Sequence, residues 1–346
     1  MTNLALMLVL GSASQGQDVQ LNSAPISSSG QYAYGSPAFS GFVNNSFKSQ
    51  QGAAKFYAWL ERVYQIKAKR FTDRPHLDLN NYLAFKKQDL QKTTDVTARV
   101  SKERAFAASL HKAIKTVLPK FSLDQGFEFR NALGKGERQC FLQSVLIAAL
   151  LQDGGVPAGV AMVNRNAQGQ ETNNKHAVCI ARLSNGHDLM VDASDDQPFA
   201  RHQGLFMQAE HGFRFLRPVF DTDSSIVAYR AYESNTTLAV NQIQPLNRYF
   251  IQSQFEYYRG ERTKGGVMAS IKTPGGMAAA DFHLTKSLSL CPDNPLAAYM
   301  LGKVQSWEHQ AEARQTLENA MRLYVQDGWV PPDEREALSQ ADRPDL

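Results

Sequence analysis

Cysteine is scarce in this chain: three in 346 residues, an odd count, so at least one thiol is free or bridges two molecules. No CxxC, HExxH or paired-carboxylate helix motif accompanies the cysteines or the eight histidines, so neither a metal site nor a cofactor is expected. There is no run of about 18 apolar residues, and no integral membrane span is expected. Blocks of like charge are missing too. The 37 Lys and Arg and the 33 Asp and Glu are interspersed, for a net charge of +4. Without a basic stripe carrying interleaved aromatics, nucleic acid is a poor partner.

Charge is almost absent from the first 47 residues, where Asp18 stands alone. Residues 4–10 read LALMLVL, followed by Gly11, Ser12 and Ala13, small enough for signal-peptidase cleavage, although a basic leader is missing. Residues 1–13 therefore read as a signal peptide. Export to the periplasm or medium is the expected localisation, with a cytoplasmic protein as the alternative. Residues 14–50 are rich in Ser, Gly, Gln and Asn and read as a mobile, low-complexity lead-in.

Helical spacing starts near Ala53, with Phe56, Trp59, Leu60, Val63 and Ile66 on one stripe. Further helices are expected over 80–92 and 96–117, the latter stopping at Pro119. Residues 141–152, FLQSVLIAALLQ, are apolar on nearly all sides and predict a helix at the centre of a domain, ended by Gly154-Gly155 and Pro157. A strand follows over 156–163, a polar loop over 164–175, and a hairpin whose strands are 176–183 and 187–193. Helices first and consecutive strands afterwards imply an α+β domain with an antiparallel sheet, over 51–225. Strand signals fade past Ser224, and residues 226–346 read as a mainly helical second domain. Its helices are expected at 278–290, 296–307 and 311–325; residues 222–270 resist assignment. The tyrosines there, Tyr229, Tyr232, Tyr249, Tyr257 and Tyr258, are read as packing between domains rather than lining a groove.

The hairpin register is decisive, because a slip of one residue moves every side chain to the other face. A two-residue Asn185-Gly186 turn would put Asp192 among apolar side chains. A three-residue loop, Ser184-Asn185-Gly186 with Gly186 left-handed, pairs Leu183 with His187, Ala181 with Leu189 and Cys179 with Val191. The opposite face then carries Arg182 against Asp188 and Ile180 against Met190, and makes His176 the diagonal neighbour of Asp192, within side-chain reach.

Cys140 heads the buried helix. A helix N-terminus favours the thiolate, a histidine within reach exchanges its proton, and an aspartate fixes the imidazole tautomer. Cys140, His176 and Asp192, in that chain order, are therefore the candidate nucleophile, base and orienter, with the first amides of the helix as oxyanion donors. Read separately, each has a plainer role: a small core residue, a strand-edge histidine, a turn-capping aspartate.

Residues 136–194 resemble the transglutaminase-like core, part of the papain-like thiol group. The resemblance rests on Gln139-Cys140 before the apolar helix, Gly155-Val156-Pro157-Ala158, His176-Ala177-Val178, and Val191-Asp192-Ala193-Ser194. It implies a papain/transglutaminase-like fold in which a buried helix packs on an antiparallel sheet, with Cys140, His176 and Asp192 as the triad. It further implies a protein or peptide substrate attacked at a carboxamide or peptide carbonyl through a thioester, then resolved by water or by an amine. Three departures stand out: Val178 where the family often has tryptophan, Gly159 where an arginine commonly follows the turn, and no aromatic immediately before Cys140 to line a substrate groove. The 280–320 region resembles a tetratricopeptide pair, whose period is about 34 residues, with Pro292 and Leu301-Gly302 at matching places. Such helices offer a surface for a protein partner. The rival expectation is a non-catalytic scaffold or protein-binding module.

Overall fold

The computed structural model describes Ser27 and residues 30–335; the expected signal peptide lies outside the described residues. Chain order is six helices interrupted by one short parallel strand pair, then seven strands, then four helices. The first helices are α1 (Pro37–Phe47), α2 (Gly52–Lys67), α3 (Leu79–Lys92) and α4 (Val96–Val117). Side-chain caps start three of them: Ser36, Asp78 and Asp95 each accept a backbone N–H from the first turn. After β1 (Lys120–Phe121), α5 (Phe129–Lys135) and β2 (Glu137–Arg138) comes α6 (Cys140–Asp153), whose residues from Cys140 to Leu151 are all buried.

The large sheet contains β3 (Ala158–Arg165), β4 (Glu171–Arg182), β5 (Asp188–Val191), β6 (Gly204–Ala209), β7 (Gly212–Phe220), β8 (Ser225–Ala231) and β9 (Thr237–Ala239). Its order is β5-β4-β3-β6-β7-β8-β9, and every pairing is antiparallel. β5 also pairs with β8, which closes the sheet into a barrel. Alternation then sorts side chains by face. Val163, Val178, Ile180, Met190, Leu205, Leu216 and Tyr229 fill the barrel, while Val160, Ala177, Cys179, Ala181, Leu189 and Phe206 face the helices. The fold is thus mixed α/β, a barrel wrapped by helices with a helical C-terminal region.

The hairpin adopts the three-residue loop. Cys179 pairs with Val191, Ile180 with Met190, Ala181 with Leu189 and Arg182 with Asp188, and Gly186 has φ +83°. The turn is anchored from outside the sheet by buried Glu103 of α4, whose carboxylate accepts the Ser184 N–H at 2.8 Å and its hydroxyl.

Three expectations need correction. Residues 30–47 are no mobile lead-in: Tyr32, Tyr34, Phe39, Phe42 and Val43 are buried, and α1 packs on α2 and α5. Aromatic side chains supply there the apolar face that the polar average composition hides. Residues 164–175 are largely strand, because β4 begins at Glu171 and pairs Glu171 with Arg165 beyond a bulge. The boundary at 225/226 falls inside β8, a barrel strand, and the stretch 222–270 supplies β8, β9 and α7 (Arg248–Glu261). Of its tyrosines, Tyr229, Tyr257 and Tyr258 are buried, as packing residues should be, while Tyr249 is exposed.

The last helices, α8 (Pro274–Leu290), α9 (Pro295–Trp307) and α10 (Ala313–Asp327), fall where the periodicity places them. Gly302 lets α9 and α10 approach closely, since a Cβ there would lie 2.6 Å from the Leu317 side chain. These helices do not form a separate core: one apolar cluster runs from Tyr32 through α6 to Tyr324 and Trp329.

Candidate active site

Cys140 is the first residue of α6, and Gln139 before it provides no side-chain cap. The first-turn amides of a helix have no acceptor within the helix, so this end retains donors near the sulfur. The Ser144 hydroxyl, one turn on, lies 2.8 Å from the Cys140 carbonyl oxygen and 3.0 Å from that of Ala177. It thereby ties the helix start to β4 one residue from His176. Ser144→Ala should destabilise the fold by about 1–2 kcal/mol and slow Cys140 alkylation, with urea unfolding and alkylation kinetics as the measurements.

His176 projects from β4 on the face that lines the barrel, at its rim. Its Nε2 lies 2.8 Å from Asp192 Oδ2, just past the end of β5. With Nε2 engaged there, Nδ1 is the ring atom left for another partner, and Cys140 is close enough to act on the imidazole electrostatically. Of the three residues proposed from sequence, His176 and Asp192 are therefore in direct contact. Cys140 is 7% exposed and Asp192 3%, whereas the His176 side chain keeps 25% of its surface open, so the site is reached from the imidazole side.

Electrostatics follow from these contacts. Burial alone would depress the His176 pKa, but hydrogen bonds and charge from Asp192 and Cys140 outweigh it and lift the group to about 10. For Asp192 burial would raise the pKa. Hydrogen bonds from His176 and His202, with the Ser194 N–H at 2.8 Å on Oδ1, overcome it and hold the carboxyl well below its usual range. Arg138 stands close enough that the charges of Cys140 and Asp192 partly offset the lowering that its own burial causes.

His202 is the residue that sequence reasoning missed. It is 8% exposed, and its Nε2 lies 2.9 Å from the same Asp192 oxygen that holds His176. The two imidazoles meet edge to face with ring centres 5.1 Å apart. The only signal was a histidine ten positions after Asp192, just before a strand, and nothing in its spacing distinguishes it from a surface residue. The loop after Asp192 is held by α4, where His111 Nε2 lies 3.1 Å from the Asp195 carbonyl oxygen and Lys115 donates to the same atom.

His176, Asp192 and His202 are also the one group of potential metal ligands among the described residues, with donor atoms within 4.8 Å of one another. Two imidazoles and a carboxylate suit zinc or iron chemically. The Nε2–Oδ2 separations of 2.8 and 2.9 Å are those of hydrogen bonds.

Val178 and Gly159, two of the positions where the resemblance fails, both sit in closely packed places. Val178 is buried inside the barrel, in a layer with Ala161 and Ile180. Any side chain at Gly159 would collide with Pro245, on the segment whose Leu246 bridges to Val160. No family model, curated protein or solved structure matches the chain.

Proposed function

We propose that this protein is a thiol enzyme of transglutaminase-like, papain-like architecture, acting on a protein or peptide substrate. Cys140 attacks a carboxamide or peptide carbonyl. Its proton passes to His176, the sulfur–carbon bond forms, and the carbonyl electrons move to an oxyanion held by first-turn amides of α6. Collapse of that intermediate expels the amine, which takes the proton from His176 and leaves a thioester on Cys140. Water then attacks the thioester in a protease or amidase, an amine in a transamidase; hydrolysis is the reading adopted. The observation that supports this is the position of His176, bonded to Asp192 through Nε2 and close enough to Cys140 to feel its charge.

The test is alkylation at about pH 5.5 with one equivalent of iodoacetamide, read by peptide mass spectrometry. Ordinary thiols are protonated there. Burial pushes Cys179 up and Cys291 up to about 12, so both should stay unmodified. Cys140 should be labelled at least about 10²-fold faster and lose that advantage in His176→Ala. Equal, slow labelling of Cys140 in both proteins would instead favour the non-catalytic scaffold.

A further inference from the structure

A second feature at the same end of the barrel carries an unusual concentration of one charge. Arg217 of β7 and Arg230 of β8 are direct cross-strand partners. Like charges placed opposite each other in a sheet destabilise it. Together with Arg201 they line a groove of about 580 Å³ whose other walls include Gln203, Phe220 and Asn235, and no acidic side chain. Among the described residues none of the three arginines has a carboxylate partner within ion-pair distance. Arg201 lies 5.0 Å over the Phe220 ring and Arg217 4.6 Å over that of Tyr232. Arg201 gives one N–H to the Asp221 carbonyl oxygen at 3.3 Å, and a guanidinium stacked by its face keeps its other in-plane N–H donors for a carboxylate.

The sheet register places this groove relative to His176. His176 pairs with Val163, Val163 with Leu205, and Leu205 with Leu216, the residue before Arg217. Arg217 is thus one residue beyond the row of His176 and three strands away in a ring of six, on the opposite wall of the barrel and, by alternation, on its outer face. Arg201 and Gln203, which line the groove, also flank His202.

We propose that this groove binds a carboxylate-rich segment of the polypeptide substrate. The proposal rests on the thiol-enzyme reading for its substrate class, while its test does not depend on turnover. Fluorescein-labelled hexaglutamate, hexaglutamine and hexalysine would be titrated by fluorescence anisotropy into full-length Cys140→Ser protein, its Arg217→Ser/Arg230→Ser derivative, and an Arg201→Ser derivative. Hexaglutamate should bind at least tenfold tighter than hexaglutamine, hexalysine should not bind, and the double substitution should weaken hexaglutamate at least tenfold. Because it relieves an unfavourable pair, the same double substitution should leave the melting temperature unchanged or raised; a fall with unchanged peptide affinity would assign the arginines a structural role and overturn the proposal. So would indifference to peptide charge, or displacement of hexaglutamate by inorganic phosphate at concentrations below those of the peptide, which would mark a phosphate site. Failure of the thiol-enzyme reading would show in the alkylation of Cys140 and leave these affinities untouched.

Discussion

Asp192→Asn should lower the rate at which Cys140 is acylated by p-nitrophenyl acetate by about 10²–10⁴-fold, with circular dichroism unchanged. Asp192 Oδ2 accepts from two imidazoles at once, and its Oδ1 is fixed by the Ser194 N–H. An amide in its place offers N–H donors to one side, so one imidazole must turn its ring or change tautomer, and His176 no longer presents the right nitrogen to the thiol. The burst of p-nitrophenol in stopped flow measures this directly. An undiminished burst would remove His176–Asp192 from the chemistry.

The same substitution has a pH signature in stability. His176 is raised from 6.5 to about 10, so its contribution is whole below about 6.5 and is lost as pH climbs through about 10. Asp192 is depressed from 3.8, so its contribution is present above that value and lost as pH falls through the lower, folded-state value. The two shifts describe largely one interaction and count once. The stability gap between wild type and Asp192→Asn should therefore be widest near pH 5–6, about 2–3 kcal/mol, and narrow steadily toward pH 10 in urea titrations.

Arg182→Met should be the most damaging single substitution in the barrel. Arg182 meets Asp188 through two N–H···O contacts of 2.9 and 3.2 Å, and donates as well to the carbonyls of Val240 and Ile243. Tyr229 completes the carboxylate at 2.7 Å, and all three residues are buried. Removing the cation strands Asp188 in an apolar interior, at a cost of about 3–5 kcal/mol. The melting temperature should fall by on the order of 10 °C. Arg182→Met/Asp188→Leu should recover most of that loss, since neither charge is then left alone. A single variant within about 1 kcal/mol of wild type would mean that water reaches the pair.

This pair also explains how the hairpin could be read from sequence. Arg182, Asp188 and the apolar set Cys179, Ala181, Leu189 and Val191 agree on one register, and local chemistry determines it. The buried helix was legible for a similar reason: 141–152 has no polar face to expose. What escaped was non-local. Closure of the sheet depends on Asp188 and Leu189 meeting Ile226 and Ser225 across a long separation, which no periodicity encodes. His202 gains its meaning only when the chain folds back on Asp192. Tyr32, Phe39 and Phe42 were diluted by serines and glycines that happen to lie between them, and the average concealed a packing face.

Because the sheet closes on itself, β5 is hydrogen-bonded on both sides, to β4 and to β8, and clamped beyond each end by α4. No free edge exists from which this strand could fray. Amide protons of Leu189 and Val191 should then exchange with deuterium only through global unfolding. Any motion at this site must then come from the loops at the rim, leaving the imidazole and carboxylate as a fixed pair.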